Sequence, residues 1–342
     1  MTKRIIQILL FLGTIISLYF VPWPIVSSWL KPLPNTVQEQ LDQASYYGFD
    51  GIIVYVDKGN KNQPKLYTSG YKNRERKTPA DPHSLFKIAS VSKLYVALSI
   101  AKLERHGKIS IDQPLAYYLP KLEERIDNSN EITLRMMVQH RSGIPNFTDT
   151  PNFWGNPPNS AEETLELVFD MPANFEPNQS YEYSNTNYLL LGMVMDSVLD
   201  YSHLQFIQEA ILQPLNLNQT YVSLKDVNID DVMSGYYVGY EKDLKKDDNG
   251  SMLATAEDLG KFIRALNEGT AFTDKREQEI YASIYKFGHT GLIPGYQTIA
   301  KYHKDIDAVV IQYTNTVNFN GYNWNLSELM YNRIVKILRK KN

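Results

Sequence analysis

Apolar and polar positions near both ends of the chain follow the short runs that are typical of buried or half-buried strands. The β-branched run Gly51–Val56 ends at a turn sequence, Asp57–Asn60, and Lys65–Tyr71 follows as its expected hairpin partner. Two further strand patterns, Tyr296–Tyr302 and Ala308–Tyr313, lie near the C-terminal end. The pattern therefore predicts a sheet that is built from both ends of the chain.

Between these strand patterns the period changes to that of helices. Apolar residues recur at helical spacing from Val91 to Ala101, which predicts a helix that begins at Ser90. It is expected to end near His106 and Gly107, because glycine can adopt the left-handed conformation of a C-cap. The other predicted helices are Val37–Ala44, one capped by Thr133, Tyr188–Leu199, one capped by Thr255, and the amphipathic Leu326–Leu338.

The order of these elements predicts a fold of the α/β (α+β) class, with an antiparallel sheet flanked by helices and an inserted, mainly helical region. We expect the α/β part to comprise residues 36–110 and 245–342, and the helical part to comprise residues 111–244. We expect them to form one domain, 36–342, with a cleft between the two parts.

Residues 1–35 are predicted to be a signal or membrane anchor followed by a short tether. Lys3 and Arg4 precede an apolar run from about residue 5 to residue 26, close to the roughly 20 apolar residues that a bilayer core needs. The positive charges favour an N-terminus inside and a folded domain outside the cytoplasmic membrane. A cleaved signal peptide, which would give a secreted protein, and a buried helix of the folded domain remain alternatives.

Composition removes several classes of function. The chain has 342 residues, a net charge of −3 and no basic block, so we expect no nucleic-acid partner. It has no cysteine, which excludes disulfides, cysteine nucleophiles and thiolate metal sites. Neither His-Glu-x-x-His nor Gly-x-Ser-x-Gly occurs, which disfavours a zinc peptidase and an α/β-hydrolase elbow.

The pattern Ser-x-x-Lys is the first candidate for chemistry, although it is common in this chain. It begins at Ser28, Ser69, Ser84, Ser90, Ser99 and Ser283. Ser90 differs from the others because it opens a helix, where residues three apart share a face and the free N–H groups favour an oxyanion. Burial there would lower the pKa of Lys93 and allow a neutral amine to act as a base. An N-cap serine beside an unrelated lysine is the alternative.

Two later segments support the first one. Tyr183-Ser184-Asn185 precedes the apolar helix that begins at about Tyr188, and His289-Thr290-Gly291 lies in a predicted strand. Glycine in a strand allows a substrate backbone to approach closely. Each segment is weak evidence alone, but together they form an ordered set of hydroxyl, amide, amine and imidazole groups. His140, which ends a helix, is expected to have a structural role near the cleft.

With these three motifs, the chain resembles the serine hydrolases of the β-lactamase and penicillin-binding-protein superfamily, and most closely the class C β-lactamases, D-aminopeptidases and related esterases. The resemblance covers roughly residues 50–315. It depends on Phe86 to Lys93, Tyr183 to Gly192, and His289-Thr290-Gly291 with Pro294-Gly295-Tyr296, in that order along the chain.

The resemblance implies a role for each site residue. Ser90 would be the acylated nucleophile, Lys93 its base, and Tyr183 the second base that serves the leaving group and then water. Asn185, His289, Thr290 and Gly291 would bind the substrate. The backbone N–H groups of Ser90 and Leu292 would form the oxyanion hole. No metal and no cofactor is required.

The chain departs from the pattern at His289, because many β-lactamases and transpeptidases have a lysine there. A histidine with an ordinary pKa of about 6.5 is mostly neutral at pH 7, which weakens the case for substrates that carry a carboxylate. We therefore expect a peptidase or esterase that acts by an acyl-enzyme on a small-molecule or peptide substrate, such as one derived from the cell wall. The alternatives are a D-alanyl-D-alanine carboxypeptidase or β-lactamase, and a catalytically silent binding or scaffold protein of the same fold.

Overall fold

The computed structural model describes residues 2–59 and 63–340. Its helices are α1 (Thr2–Tyr19), α2 (Trp23–Leu30), α3 (Val37–Leu41), α4 (Lys93–Arg105), α5 (Leu115–Tyr118), α6 (Leu134–Val138), α7 (Ala161–Leu165), α8 (Asn185–Leu199), α9 (His203–Ile207), α10 (Ala256–Glu268), α11 (Lys275–Ile284) and α12 (Asn323–Lys340). Its strands are β1 (Gly51–Asp57), β2 (Lys65–Asn73), β3 (Thr78–Pro79), β4 (Phe86–Lys87), β5 (Thr220–Tyr221), β6 (Tyr236–Tyr237), β7 (Leu253–Ala254), β8 (His289–Ile293), β9 (Tyr296–His303), β10 (Ala308–Thr314) and β11 (Thr316–Val317).

The main sheet joins the two ends of the chain, as the strand patterns predict. Its strand order is β3-β2-β1-β10-β9-β8, and neighbouring strands are antiparallel. The two central strands, β1 and β10, are buried along their whole length. The predicted turn after β1 includes Asn60, which lies outside the described residues.

Helices cover both faces of this sheet. Alternate residues of β1 point to opposite sides, so Ile52 and Val54 pack with α12 while Ile53 and Tyr55 belong to the larger core around α4 and α10. The expected N-caps are confirmed: Thr133 accepts a hydrogen bond from the backbone of α6, and Thr255 accepts one from α10. The predicted α+β fold, an antiparallel sheet between helices, is therefore confirmed.

The region between α4 and α10 is not helical throughout. Two short strands, β5 and β6, lie within residues 111–244, which were expected to be mainly helical. β5 pairs with β7, and β6 pairs in parallel with β11 next to the main sheet. Two-residue strands leave no period-2 pattern in a sequence, and tertiary pairing alone defines them.

The N-terminal apolar run forms two helices instead of one. Pro22 and Pro24 fall where the chain turns, because proline cannot donate the helical hydrogen bond and is favoured in the first turn. In the described part of the chain no single helix is long and apolar enough to cross a membrane. The helices Lys3–Tyr19 and Trp23–Leu30 are long and apolar enough only when they are taken together, and the chain bends by 82° between them. The structure thus gives no support to one straight span over residues 5–26.

The two N-terminal helices differ in their packing. The apolar side chains of α1 from Ile5 onwards are exposed, so a buried helix of the folded domain is the wrong interpretation for α1. In contrast, Ile25 of α2 packs against the α12 side of the sheet. The chain after α2 is fixed by Arg333, which donates hydrogen bonds to the carbonyl oxygens of Lys31 and Pro32.

Candidate active site

The Ser90 turn connects β4 to the long buried helix α4. Residues Ala89–Ser92 form a 3₁₀ turn and α4 begins at Lys93, so the helix starts three residues later than predicted. The helix ends as expected, with His106 as the C-cap and Gly107 at φ 67°. Ser90 and Lys93 still share a face, because a turn of 3₁₀ helix also aligns residues three apart.

The residue before Ser90 has an unusual backbone conformation. Ala89 has φ 51°, a left-handed conformation that costs a non-glycine residue about 1–3 kcal/mol. Two side chains hold it there: the Ala89 N–H donates to Ser251 Oγ at 2.8 Å, and Ser92 Oγ donates to the Ala89 carbonyl at 2.8 Å. The surrounding structure therefore imposes the sharp turn that presents Ser90. Sequence reasoning missed the part played by Ser251.

Three predicted residues meet at the hydroxyl of Ser90. Tyr183 donates a hydrogen bond to Ser90 Oγ at 2.7 Å, and Lys93 Nζ donates one at 3.3 Å. Tyr183 comes from the segment before α8, 93 residues along the chain. The fold thus brings a nucleophile and two candidate proton carriers within hydrogen-bond distance, the geometry of an activated serine.

A second layer of polar groups holds Lys93. Its Nζ donates to Asn185 Oδ1 at 2.8 Å, and Asn185 Nδ2 in turn donates to Asn146 Oδ1 at 3.3 Å and to Thr148 Oγ1 at 3.2 Å. Sequence reasoning found Asn185 but missed Asn146 and Thr148. The only signal for them was a polar cluster after Pro145, which is also typical of an ordinary turn.

Burial changes the acidity of both proton carriers. It lowers the pKa of Lys93 from 10.5 to about 7, because the ammonium loses water and has no carboxylate partner in the described structure. Burial raises the pKa of Tyr183 to about 12, although its hydrogen bond to Ser90 opposes this shift. At neutral pH, Lys93 is therefore partly a free amine, whereas Tyr183 is a phenol.

His140 supports Tyr183 from the side. The two rings stack with their centroids 4.3 Å apart, and Nδ1 of His140 accepts a hydrogen bond from the Ser184 N–H at 3.2 Å. Burial, with a contribution from the charge of Lys93, lowers the pKa of His140 to about 3. The ring is neutral, and its contacts agree with the structural role expected near the cleft.

His289 lies at the start of β8 and is buried. Its Nδ1 hydrogen-bonds the backbone carbonyl of Thr290, and the ring of Tyr285 stacks on it at 5.8 Å. Burial, reinforced by the charge of Lys286, lowers its pKa to about 3. The imidazole is thus neutral over the whole physiological range and cannot replace a lysine as a cation.

The strand β8 places the rest of the predicted site beside Ser90. Thr290 is half-buried, and a Cβ added to Gly291 would lie 2.4 Å from the Ile88 carbonyl oxygen and 3.2 Å from the Ser90 nitrogen. Glycine is required here because the strand touches the nucleophile turn. Since β8 is the last strand of the sheet, the outer edge that contains Leu292 is free to pair with an extended substrate.

The arrangement of Ser90, Lys93 and strand β8 is suited to acyl transfer. A hydroxyl in contact with an amine of lowered pKa, next to a free strand edge, is suited to forming an ester with an acyl group.

Comparison with known proteins agrees with the fold. Residues 36–284 match the family model described as Beta-lactamase, and the chain belongs to this family. Penicillin-binding protein 4* of Bacillus subtilis is 25% identical over 320 residues, which cover 78% of this chain and 68% of that protein. Protein flp of Staphylococcus aureus is 27% identical over 203 residues, 57% of this chain, and the match spans only 40% of that relative's length.

Solved structures give the same fold at lower identity. D-amino acid amidase from Ochrobactrum anthropi, complexed with L-phenylalanine amide, superposes with a TM-score of 0.78 and 22% identity, covering 90% of this chain and 99% of that one. A class C beta lactamase from Rhodobacter sphaeroides gives 0.69 and 20%, with 90% and 99% covered. The predicted membership of the β-lactamase and penicillin-binding-protein superfamily is therefore confirmed.

The contact between Gly291 and the nucleophile turn predicts a large effect of a single methyl group. Gly291→Ala would push β8 away from Ser90, and a displacement of about 1 Å at a reacting centre can cost about 100-fold in rate. We expect a fall of that order in the rate at which a fluorophosphonate labels the protein. Gly288→Ala is the matched control, since its Cβ would meet the Ala300 carbonyl at 2.9 Å and not the Ser90 turn. Equal losses in both variants would contradict the assignment.

Proposed function

We propose that this protein is a serine hydrolase that cleaves an ester or amide through an acyl-Ser90 intermediate. The observation that carries the proposal is the partly buried contact of Ser90 Oγ with both Lys93 Nζ and the Tyr183 hydroxyl. The binding or scaffold alternative does not need a lysine with a pKa near 7 beside a serine. Membership of the β-lactamase family supports the same chemistry.

Acylation begins with the neutral amine of Lys93, which removes the proton of the Ser90 hydroxyl. Ser90 Oγ then attacks the carbonyl carbon, and the oxyanion accepts hydrogen bonds from the backbone N–H groups of Ser90 and Leu292. The tetrahedral adduct collapses when the leaving nitrogen or oxygen takes a proton from Tyr183. Tyr183, as a phenolate, recovers that proton from the Lys93 ammonium, because its pKa of about 12 makes it the stronger base.

Deacylation reverses these roles with water. Tyr183 first passes its proton to the neutral amine of Lys93, and the phenolate then takes a proton from a water molecule as the water attacks the acyl carbon. The Lys93 ammonium returns a proton to Ser90 Oγ as the ester bond breaks. Asn185 keeps Lys93 in place through both steps by accepting a hydrogen bond from Nζ. Asn185, Thr290 and Gly291 bind the substrate between α8 and the edge of β8.

The charges of the site favour a substrate without a carboxylate close to His289. His140 and His289 are both neutral at pH 7 because burial lowers their pKa values to about 3. Two neutral imidazoles give no ionic attraction to a carboxylate, and an uncharged ester or amide has a lower desolvation cost beside them. A small-molecule or peptide substrate of the peptidase or esterase type fits these properties best.

We further propose that the catalytic domain acts outside the cytoplasmic membrane. Lys3 and Arg4 precede the exposed apolar side chains of α1, and an exposed apolar helix is stabilised by a lipid or translocon environment rather than by water. A cell-wall-derived peptide is then an accessible substrate. Whether the segment anchors the domain or is cleaved can be decided by the N-terminal sequence of the mature protein.

The labelling experiment tests the nucleophile. Wild-type protein should react stoichiometrically with a fluorophosphonate, and Ser90→Ala should not react, since the Lys93 amine hydrogen-bonds no other hydroxyl in the described structure. Ser99→Ala is the matched control, because Ser99 begins another Ser-x-x-Lys pattern on α4 but donates to the Tyr95 carbonyl in the core. Equal labelling of wild type and Ser90→Ala, or none of wild type with any activated ester, would refute the proposal.

The pKa of Lys93 predicts the pH dependence. Because the neutral amine is the active form, kcat/KM for an ester should rise with pH, reach half its maximum near a pH of about 7, and then level off. Neither histidine contributes between pH 5 and 9, since both pKa values are about 3. Lys93→Met should remove the rise together with most of the rate. A falling profile through pH 7 would instead show that the ammonium is required.

One observation favours the carboxypeptidase or β-lactamase alternative. Lys286 is exposed just before β8, beside the Tyr285 ring that stacks on His289, and its charge lowers the pKa of His289. No acidic side chain of residues 2–59 and 63–340 forms an ion pair with it. Lys286 could therefore attract a carboxylate on the leaving group from outside the pocket, where His289 cannot.

Lys286→Gln tests this alternative. If the alternative is correct, the substitution should raise KM for an acyl-D-alanyl-D-alanine peptide by about tenfold. This factor corresponds to the loss of one partly exposed charge pair, which contributes about 1 kcal/mol or slightly more to binding. The C-terminal amide of the same peptide should be unaffected. Lys301→Gln serves as a control, because that amine lies over the Tyr331 ring. If the wild type prefers the amide and Lys286→Gln changes neither KM, the alternative is excluded.

A further inference from the structure

Five aromatic side chains form a continuous surface that starts next to the catalytic residues. We call it the aromatic wall, and its members are Phe147, Phe153, Trp154, Phe319 and Tyr237. Successive ring centroids lie 5.2 Å apart for Phe147 and Phe153, 5.1 Å for Phe153 and Trp154, 6.2 Å for Trp154 and Phe319, and 5.3 Å for Phe319 and Tyr237.

The wall is attached to the catalytic residues at one end. The Phe147 N–H donates to Thr186 Oγ1 at 3.1 Å, and the residue before Phe147 is Asn146, whose Oδ1 accepts from the backbone and side chain of Asn185. Asn185 also accepts a hydrogen bond from Lys93, so a path of hydrogen bonds leads from the proposed base through Asn185 to Asn146, the residue next to Phe147. The wall therefore borders the site.

The wall joins segments that are distant in sequence. Trp154 comes from the loop between α6 and α7, whereas Phe319 follows β11 in the α/β part. The Phe319 N–H donates to the Tyr237 hydroxyl at 3.3 Å, which fixes the far end of the wall to β6. Phe319 nevertheless remains 40% exposed, and Trp154 and Tyr237 are only half-buried. Contiguous aromatic surface left open beside a cleft indicates a binding surface.

The position of β6 shows which end of the substrate would meet the wall. A Cβ added to Gly295, in the turn after β8, would lie 3.0 Å from the Tyr236 nitrogen, so β6 lies at the Ile293 end of β8. Tyr183 lies towards the opposite end, because a series of ring contacts joins it to His289. Tyr183 stacks on His140 at 4.3 Å, His140 contacts Tyr188 at 5.2 Å, Tyr188 contacts Tyr285 at 5.9 Å, and Tyr285 stacks on His289 at 5.8 Å.

Since Tyr183 serves the leaving group, the leaving group lies at the His289 end, and the acyl group points towards Ile293 and the wall. We infer that the aromatic wall binds an apolar side group on the acyl part of the substrate, with Trp154 and Phe319 determining specificity. This inference rests on the proposed hydrolase function. The substrate class is then esters or amides of uncharged acyl groups with an aromatic or large aliphatic substituent. Rings packed edge to face around such a substituent provide apolar contact area and a complementary shape. The neutral histidines, in contrast, give no ionic preference for a charged substituent.

The test compares two esters that differ only in the acyl group, p-nitrophenyl acetate and p-nitrophenyl 3-phenylpropionate. Wild type should have the higher kcat/KM for the phenylpropionate. Trp154→Ala and Phe319→Ala should each reduce kcat/KM for that ester by about tenfold or more and change the acetate value less than about threefold, as expected when a pocket loses apolar contacts. Trp154→Phe should retain most of the preference.

Tyr117→Ala is the matched control, since Tyr117 is an exposed aromatic residue of α5 in contact with Tyr118 and not with the wall. Thermal unfolding of each variant separates a folding defect from a binding defect. Equal losses on both esters at unchanged stability, or a wild type that does not prefer the phenylpropionate, would overturn the inference while Ser90-dependent hydrolysis still stands. Absence of hydrolysis of both esters by wild type, with no labelling of Ser90, would refute the proposed function instead.

Discussion

The burial of one amine, that of Lys93, is the constraint on which the site depends. The residue is 8% exposed, and its Nζ has two hydrogen-bond acceptors, Ser90 Oγ and Asn185 Oδ1, with no carboxylate partner in the described structure. A carboxylate at that distance would favour the ammonium and raise its pKa. An amide carbonyl and a hydroxyl satisfy its donors without providing a negative charge, so desolvation dominates and a base is available near neutral pH. The same burial keeps Tyr183 protonated, which separates the two proton carriers into an acceptor and a donor.

Such a site needs a rigid frame, and the frame comes from elements far apart in the chain. Helix α4 is buried almost completely, and its first turn follows a left-handed Ala89 that Ser251 and Ser92 hold in place. The edge strand β8 touches this turn at Gly291, and β1 and β10 support β8 through the sheet. Strain at Ala89 is tolerated because every neighbouring element fixes it.

Sequence reasoning reached the parts that local patterns encode. The strands near both ends, the caps at Thr133 and Thr255, and the long helix after Ser90 all follow from periodicity and capping chemistry. Family resemblance supplied the pairing of Ser90 with Tyr183, which no local pattern could give. Asn146, Thr148 and Ser251 were missed because their function is a tertiary hydrogen bond, and such a contact leaves no periodic mark. The break of the N-terminal run at Pro22 could have been foreseen, since proline in the sequence already predicts the end of a helix.

The neutral ring of His289 and the aromatic wall have the same physical effect on substrate choice. A lysine in place of His289 would favour substrates through a charge, which acts over several ångströms and depends little on shape. With His289 neutral, discrimination must come from contacts that act only at short range, namely the edge of β8 and the rings of Trp154 and Phe319. Lys286 is the exception, but it lies at the leaving-group end and in contact with water, where its charge is screened. In the proposed hydrolase, the acyl group is therefore the part of the substrate that this cleft would select most strictly, by shape and apolar area.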